Sequence, residues 1–265
     1  MIRLRQVCIA SPTIADADEL ADIFGVRIAY RDPMIVDFGL ENALLGFGGT
    51  FVELIAPLKE GTTATRFLAK HPDGGGYMVI HDTDEYEAIR RRVDEQGIRI
   101  AYESTPELRD PEKNLPEYGY DSFRHLQLHP HSVGGTLLEF NQTDGGEELF
   151  GAYAPAGIHW HDEVQGDDLP RIVGAECTSS DSDAMAATWG SLMGKPVEKD
   201  DQGTTIQLDG GGVDRFVPGP VDAFTRLTIE TADPASVLGR ARSKGYEVTG
   251  SQFTFCGVHI VSVPR

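Results

Sequence analysis

The stretch LHPHSVGGTLLEF, Leu128 to Phe140, holds two histidines, a glycine turn and one carboxylate, Glu139, in an apolar strand pattern. A glutamate so placed can ligate a metal, move a proton, or mark a site that has lost its chemistry. Just upstream, RHLQLHP alternates His125 and Gln127 with Leu126 and Leu128, so both polar residues lie on one strand face. Either could act as an auxiliary acid or base; a satisfied polar strand face is the plainer alternative. His129 and His131 flank Pro130 and read as turn residues. In GIHWHD, His159 and His161 could clip a surface metal or cap a cavity, while Trp160 pins its segment to a domain. DGGGY and DGGGV are glycine-rich, but neither lies between a strand and a helix as a phosphate loop must, so both read as turns or bulges. No GxSxG, HExxH or familiar Cys-His arrangement occurs, and a nucleophilic hydrolase is unsupported.

These residues sit in a chain of 265, enough for two modest cores. Its 42 acidic and 23 basic residues give a formal charge of -19, a field that repels nucleic acid and anionic membrane. Cys8, Cys177 and Cys256 are too few and too far apart for a metal pair or a disulfide framework, and each sits in an apolar stretch as a buried free thiol would. With no signal peptide or membrane-span run in the sequence, the expected location is the cytoplasm.

The elements that must position the chemistry repeat. FGVRIAY (Phe24 to Tyr30) and QGIRIAY (Gln96 to Tyr102) match closely, and each follows a helical pattern. The four helices expected begin near Asp16, near Asp82 or Thr83, at Ser180 or Asp181, and at Asp233 with Pro234 in the first turn. They stop at Gly25, Gly97, Gly194 and Gly245. Alternating strands precede them at Leu4–Ala10, Tyr77–Asp82, Ile172–Thr178 and Phe224–Thr231. The unit is strand, helix, then about three strands, four times over. Asn141 to Arg171, rich in Gly, Asp and Glu with Pro155 and Pro170, reads as a linker. The expected fold class is α+β, with domains over 1–145 and 168–265 around a linker at 146–167.

Four βαβββ units paired into two domains resemble the vicinal oxygen chelate superfamily of glyoxalases, epimerases, extradiol dioxygenases and bleomycin-resistance proteins. The first domain resembles methylmalonyl-CoA epimerases, through FVELIAPLKEGTTATRFLAKH (Phe51 to His71) and LHPHSVGGTLLEF. The resemblance implies two cup-shaped domains. In the family, each cup holds a divalent metal on four strand-borne ligands, His, Glu or Gln, His and Glu. Here those positions fall on Gln6, Glu53, Tyr77 and Glu139, so both histidines are replaced and both acidic positions stay. If this degenerate set binds a cation, its oxygen donors favour Mg, Mn or Ca; the expectation is no cofactor. In the second domain the positions fall on Gly174, Arg226 and Val261, which supply no ligand set. His81 shares the parity of Tyr77 and would sit at the rim of the first cup.

Without a metal, Glu53 and Glu139 repel each other and at least one should hold its proton more tightly. Such a pair suits proton transfer, with Glu139 as base, Glu53 as acid, and Gln6 and Tyr77 donating to an enolate oxygen. His125 and Gln127 join them as ligand-binding candidates. The expected activity is isomerisation, epimerisation or elimination next to the carbonyl of a small molecule; an acyl-CoA is what the resemblance implies. The alternatives are a non-catalytic binding protein of the antibiotic-sequestering kind and, with less support, a ring-cleaving dioxygenase, for which neither domain supplies two histidines and a carboxylate. By analogy the chain is a homodimer, or its two domains pair internally.

Overall fold

The structure is a computed structural model and describes residues 1–113, 115–166 and 168–265. The first unit runs β1 (Ile2–Ala10), α1 (Asp16–Phe24), β2 (Ile28–Tyr30), β3 (Leu40–Phe47) and β4 (Thr50–Pro57), followed by a short helix, α2 (Thr63–Leu68). The second runs β5 (Gly75–Thr83), α3 (Tyr86–Glu95), β6 (Ile100–Ser104), β7 (Phe123–Leu128), the single turn α4 (Pro130–Val133) and β8 (Leu137–Thr143). Helix α5 (Trp160–Glu163) lies between the halves. The third unit is β9 (Arg171–Ser179), α6 (Ser182–Met193), β10 (Glu198–Asp200), β11 (Gly203–Gln207) and β12 (Val213–Pro218). The fourth is β13 (Ala223–Thr231), α7 (Pro234–Ser243), β14 (Val248–Thr249), β15 (Gln252–Phe255) and β16 (Val258–Pro264).

Strand order is β2-β3-β4-β1-β5-β8-β7-β6 in the first half and β10-β11-β12-β9-β13-β16-β15-β14 in the second. Each half is therefore a pair of βαβββ units, joined antiparallel through their first strands and curled into a cup. One pairing, Phe224 with Gly76, links the two sheets. Only glycine permits that approach, because a Cβ on residue 76 would lie 2.1 Å from the Phe224 carbonyl oxygen. One apolar core spans both halves: Leu20 and Ile23 of α1, Ile89 and Val93 of α3, Trp189 and Leu192 of α6, and Val237 and Leu238 of α7 belong to it. Each such side chain contributes about 1.5–3 kcal/mol of burial. Polar contacts cross it, including Trp189 Nε1 to the Val133 carbonyl at 2.7 Å and Arg240 Nε to the Ile23 carbonyl at 2.6 Å.

Local chemistry explains most boundaries. Asp181 and Asp233 cap α6 and α7 by accepting from Ala184 N at 3.1 Å and Ser236 N at 3.0 Å. Gly25 and Gly194 close α1 and α6 in the left-handed conformation. The second helix begins later than Asp82 or Thr83 implied. Thr83 stays in β5 because it pairs with Ile2, and its hydroxyl accepts from Glu85 N before α3 starts at Tyr86. Helix α2 is an addition to the expected strand, helix and three strands; Thr62 caps it by accepting from Thr65 N at 3.1 Å. Cys8 and Cys177 are buried, but Cys256 is only partly so. It occupies a two-residue hairpin turn with Gly257, where both residues need positive φ (42° and 70°). The stretch read as a linker is no open spacer: Tyr153, Trp160 and Val164 are buried with Phe51 and Leu44 of the first sheet.

Candidate functional site

The site begins with a bulge. Along β1, Leu4 pairs with His81 and Gln6 with Ile80, leaving Arg5 as an extra residue. Leu4, Val7 and Ile9 then face the shared core, while Gln6, Cys8 and Ala10 turn to the concave face. Strands β4 and β8 need no such device. Glu53 alternates with the core residues Val52 and Leu54, and Glu139 and Asn141 alternate with Leu138 and Phe140. Register then sets Glu53 beside Cys8, and Glu139 between Ile80 and Gln127.

Gln6 Nε2 donates to Glu53 Oε2 at 3.0 Å, and Asn42 Nδ2 donates to Glu53 Oε1 at 2.7 Å. Across the cup, Gln127 Nε2 donates to Glu139 Oε2 at 3.1 Å and Asn141 Nδ2 to Glu139 Oε1 at 2.9 Å. His125 Nε2 lies 2.9 Å from Glu139 Oε2 but out of line for a hydrogen bond, so that contact is electrostatic. Glu53 and Glu139 are 6% and 4% exposed, so water does little to screen them.

The two carboxyls are driven apart. Burial pushes Glu53 up to about 7; Asn42 pulls it back in part, and the charge on Glu139 adds to the rise. Burial also opposes charge on Glu139, but His125, Gln127 and Asn141 outweigh it and hold that group below the usual carboxylate range. Near pH 7 Glu53 is therefore about half protonated, while Glu139 is ionised. Cys8 beside it is no nucleophile: burial and the neighbouring Glu53 charge push its thiol well up.

The structure brings together Gln6, Glu53, His125, Gln127 and Glu139, but Tyr77 does not join them. A second register shift, between Cys8 paired with Met78 and Ile9 paired with Gly76, makes Tyr77 the extra residue of β5. Its ring meets Phe67 of α2 edge-on at 5.2 Å, and Met78 takes the place beside Gln127, with Sδ 3.0 Å from Gln127 Nε2. The same shift breaks the parity argument for His81. It is fully buried on the core side, not at a rim, with Nε2 2.8 Å from Asp214 Oδ2 of β12. In the second half, Arg226 is held by Glu176 at 3.0 Å and by Gln252. His161 bonds the Phe150 carbonyl at 2.7 Å and stacks on Trp160, and His129 caps α4.

Several residues with a part in the site were missed. Asn42 and Asn141 carried a signal, since strand alternation puts both on the concave face. Tyr153 carried none. Its hydroxyl donates to Gln6 Oε1 at 2.9 Å from a segment that looks like a spacer.

Side-chain NH₂ groups of Gln6, Asn42, Gln127 and Asn141 donate one hydrogen bond to each of the four oxygens of the two glutamates. Among the described residues no group of three or more His, Cys, Asp or Glu side chains is arranged to hold a metal ion.

No family model matches the chain. An ethylmalonyl-CoA/methylmalonyl-CoA epimerase of Cereibacter sphaeroides is 30% identical over 142 residues, 53% of this chain and 97% of that relative. The chain belongs to the vicinal oxygen chelate superfamily. Two solved structures extend the superfamily fold across both halves. A hypothetical protein from Staphylococcus aureus has 13% identity and TM-score 0.67, with 100% of each chain covered. The Mn(II)-bound glyoxalase from Novosphingobium aromaticivorans also has 13% identity, with TM-score 0.63, 100% of this chain and 83% of that one covered. The similarity to the epimerase lies over the first half, which holds the glutamate pair. Among the described residues of this superfamily member, no helix is long and apolar enough to cross a membrane.

Proposed function

We propose that the first cup catalyses proton transfer at the carbon next to the carbonyl of a small acyl compound, with an acyl-CoA thioester as the substrate class and no resident metal. The observation that carries this is the opposed state of the two buried carboxyls. Ionised Glu139 takes the proton from one face of the carbon, and Glu53, which holds its proton to about pH 7, returns one to the other. The NH₂ groups of Gln6 and Gln127 lie beside the carboxylates, and after a small rotation each can donate to the enolate oxygen. Epimerisation follows from such a pair, because each direction of the reaction starts with one carboxyl protonated and the other ionised. The relative from Cereibacter sphaeroides, an epimerase of two acyl-CoA substrates, supports the substrate class.

The test is solvent exchange. Methylmalonyl-CoA in deuterated buffer should lose its α-proton signal with the wild-type chain, and far more slowly with Glu139→Gln or Glu53→Gln. No exchange with the wild type, with or without added Mn or Mg, overturns the proposal. One observation favours a second reading, a binding protein without catalysis: both carboxylates already have their hydrogen bonds made internally. Saturable binding without exchange would establish it.

A further inference from the structure

We propose that Tyr153 is a positioning residue: its phenol O–H, donated to Gln6 Oε1 at 2.9 Å, fixes the Gln6 amide so that its NH₂ faces Glu53. This rests on the proton-transfer reading of the glutamate pair and carries it to a segment outside the eight strands of the first cup.

A carboxamide has nearly the same shape at its oxygen and nitrogen ends, so packing alone does not choose between them. Here the choice matters. The NH₂ end turned into the cup supplies a donor for the developing enolate oxygen, whereas the oxygen end would present an acceptor that repels it. A phenol can donate or accept, but Asn141 lies against the Tyr153 oxygen as a donor, which leaves the O–H to donate, and the Gln6 oxygen is the acceptor it meets. Burial keeps the phenol protonated.

The aromatic seat of Tyr153 is fixed by more than the hydrogen bond. Its ring stacks on Phe51 at 5.2 Å with 13° between planes, and Trp160 closes on Phe51 edge-on at 5.2 Å. Arg5, the bulged residue of β1, is fully buried, and none of its guanidinium nitrogens has a hydrogen-bond partner. Its charge rests instead on the rings, 4.8 Å from the Tyr153 centroid and 5.8 Å from that of Trp160. Moving Tyr153 away would strip the nearest π face from a buried cation, so the ring is held from both sides. The bulge that turns Gln6 into the cup thus also supplies the cation that holds the residue orienting it.

Tyr153→Phe keeps the stack and removes only the O–H. Two readouts are needed: the side-chain NH₂ signals of Gln6 in ¹⁵N NMR, assigned by their loss in Gln6→Met, and the steady-state kinetics of α-proton exchange. The expected result is a shifted and broadened Gln6 pair, kcat lowered roughly tenfold at unchanged KM, and no further loss when Tyr153→Phe is added to Gln6→Met. Unmoved Gln6 signals overturn the proposal, and so do moved signals with wild-type kcat. A wild-type chain inert in exchange overturns the proton-transfer reading instead, while the amide signals still decide whether Tyr153 orients Gln6.

Discussion

The two cups share strand order and pairing sense, yet their concave faces are opposites. In the first, β1 is buried along its whole length and β4 nearly so, on both faces. In the second, β9 and β13 alternate between buried and half-exposed residues, the pattern of a sheet with one face in water. Where the first cup holds Gln6 against a buried Glu53, the second holds Arg226 against Glu176 with side chains 33% and 18% exposed. The difference comes from what covers each face. The segment between the halves, α2 and the turn at Pro33–Phe38 close over the first cup, and burial there makes carboxyl chemistry available near neutral pH. An exposed ion pair in water has no such leverage. The same architecture carries a covered cup in one half and an open one in the other.

The largest expected effect separates the cups by chemistry. Glu139→Gln should lower α-proton exchange by ~10²- to 10⁴-fold, whereas Arg226→Gln in the second cup should change it by less than about twofold; a large loss from Arg226→Gln would break the comparison. Uncovering the first cup should come next. Trp160→Ala removes a fully buried ring beside Arg5 and should cost about 3–5 kcal/mol in denaturant unfolding, against about 0.5 kcal/mol or less for Val261→Ala on the open face.

The cover should also be visible in pH dependence. Burial, offset in part by Asn42 and reinforced by Glu139, raises Glu53 from 4.5 to about 7, so its contribution to stability is complete below pH 4.5 and is lost as pH rises through 7. The loss should reach about 3 kcal/mol and vanish in Glu53→Gln, as urea denaturation across that window would record. A small effect is also expected for the ion pair of the open cup: Arg226→Met should cost at most about 1 kcal/mol. A larger cost would mean that its concave face is not simply solvated.

Much of this architecture could be read from the chain. Caps and stops such as Asp181, Asp233, Gly25 and Gly194 act over a few residues, so local chemistry reveals them, and four repeated units imply the pairing. What failed depended on register. A bulge at Arg5 or Tyr77 is decided by the partner strand and reverses the inward and outward assignment beyond it, which is why His81 was misplaced and why Met78 rather than Tyr77 stands beside Gln127. Glu53 and Glu139 were legible because no bulge intervenes in their strands. Their amide partners were partly so, since Asn141 lies two residues from Glu139. Tyr153 was not, because a contact to Gln6 across 147 residues leaves no periodic trace.

The shared core has a consequence for unfolding. Trp189 and Asp214 belong to the half without the glutamate pair, yet Trp189 donates to Val133 and Asp214 meets His81 one residue from the floor of the reactive cup. Expressed alone, the first half would present the apolar faces of α1 and α3 to water, so the two halves should melt together and neither should persist as a free module. The second half then serves the first as a permanent packing partner, so a cavity opened at Trp189 should lower the melting temperature of both.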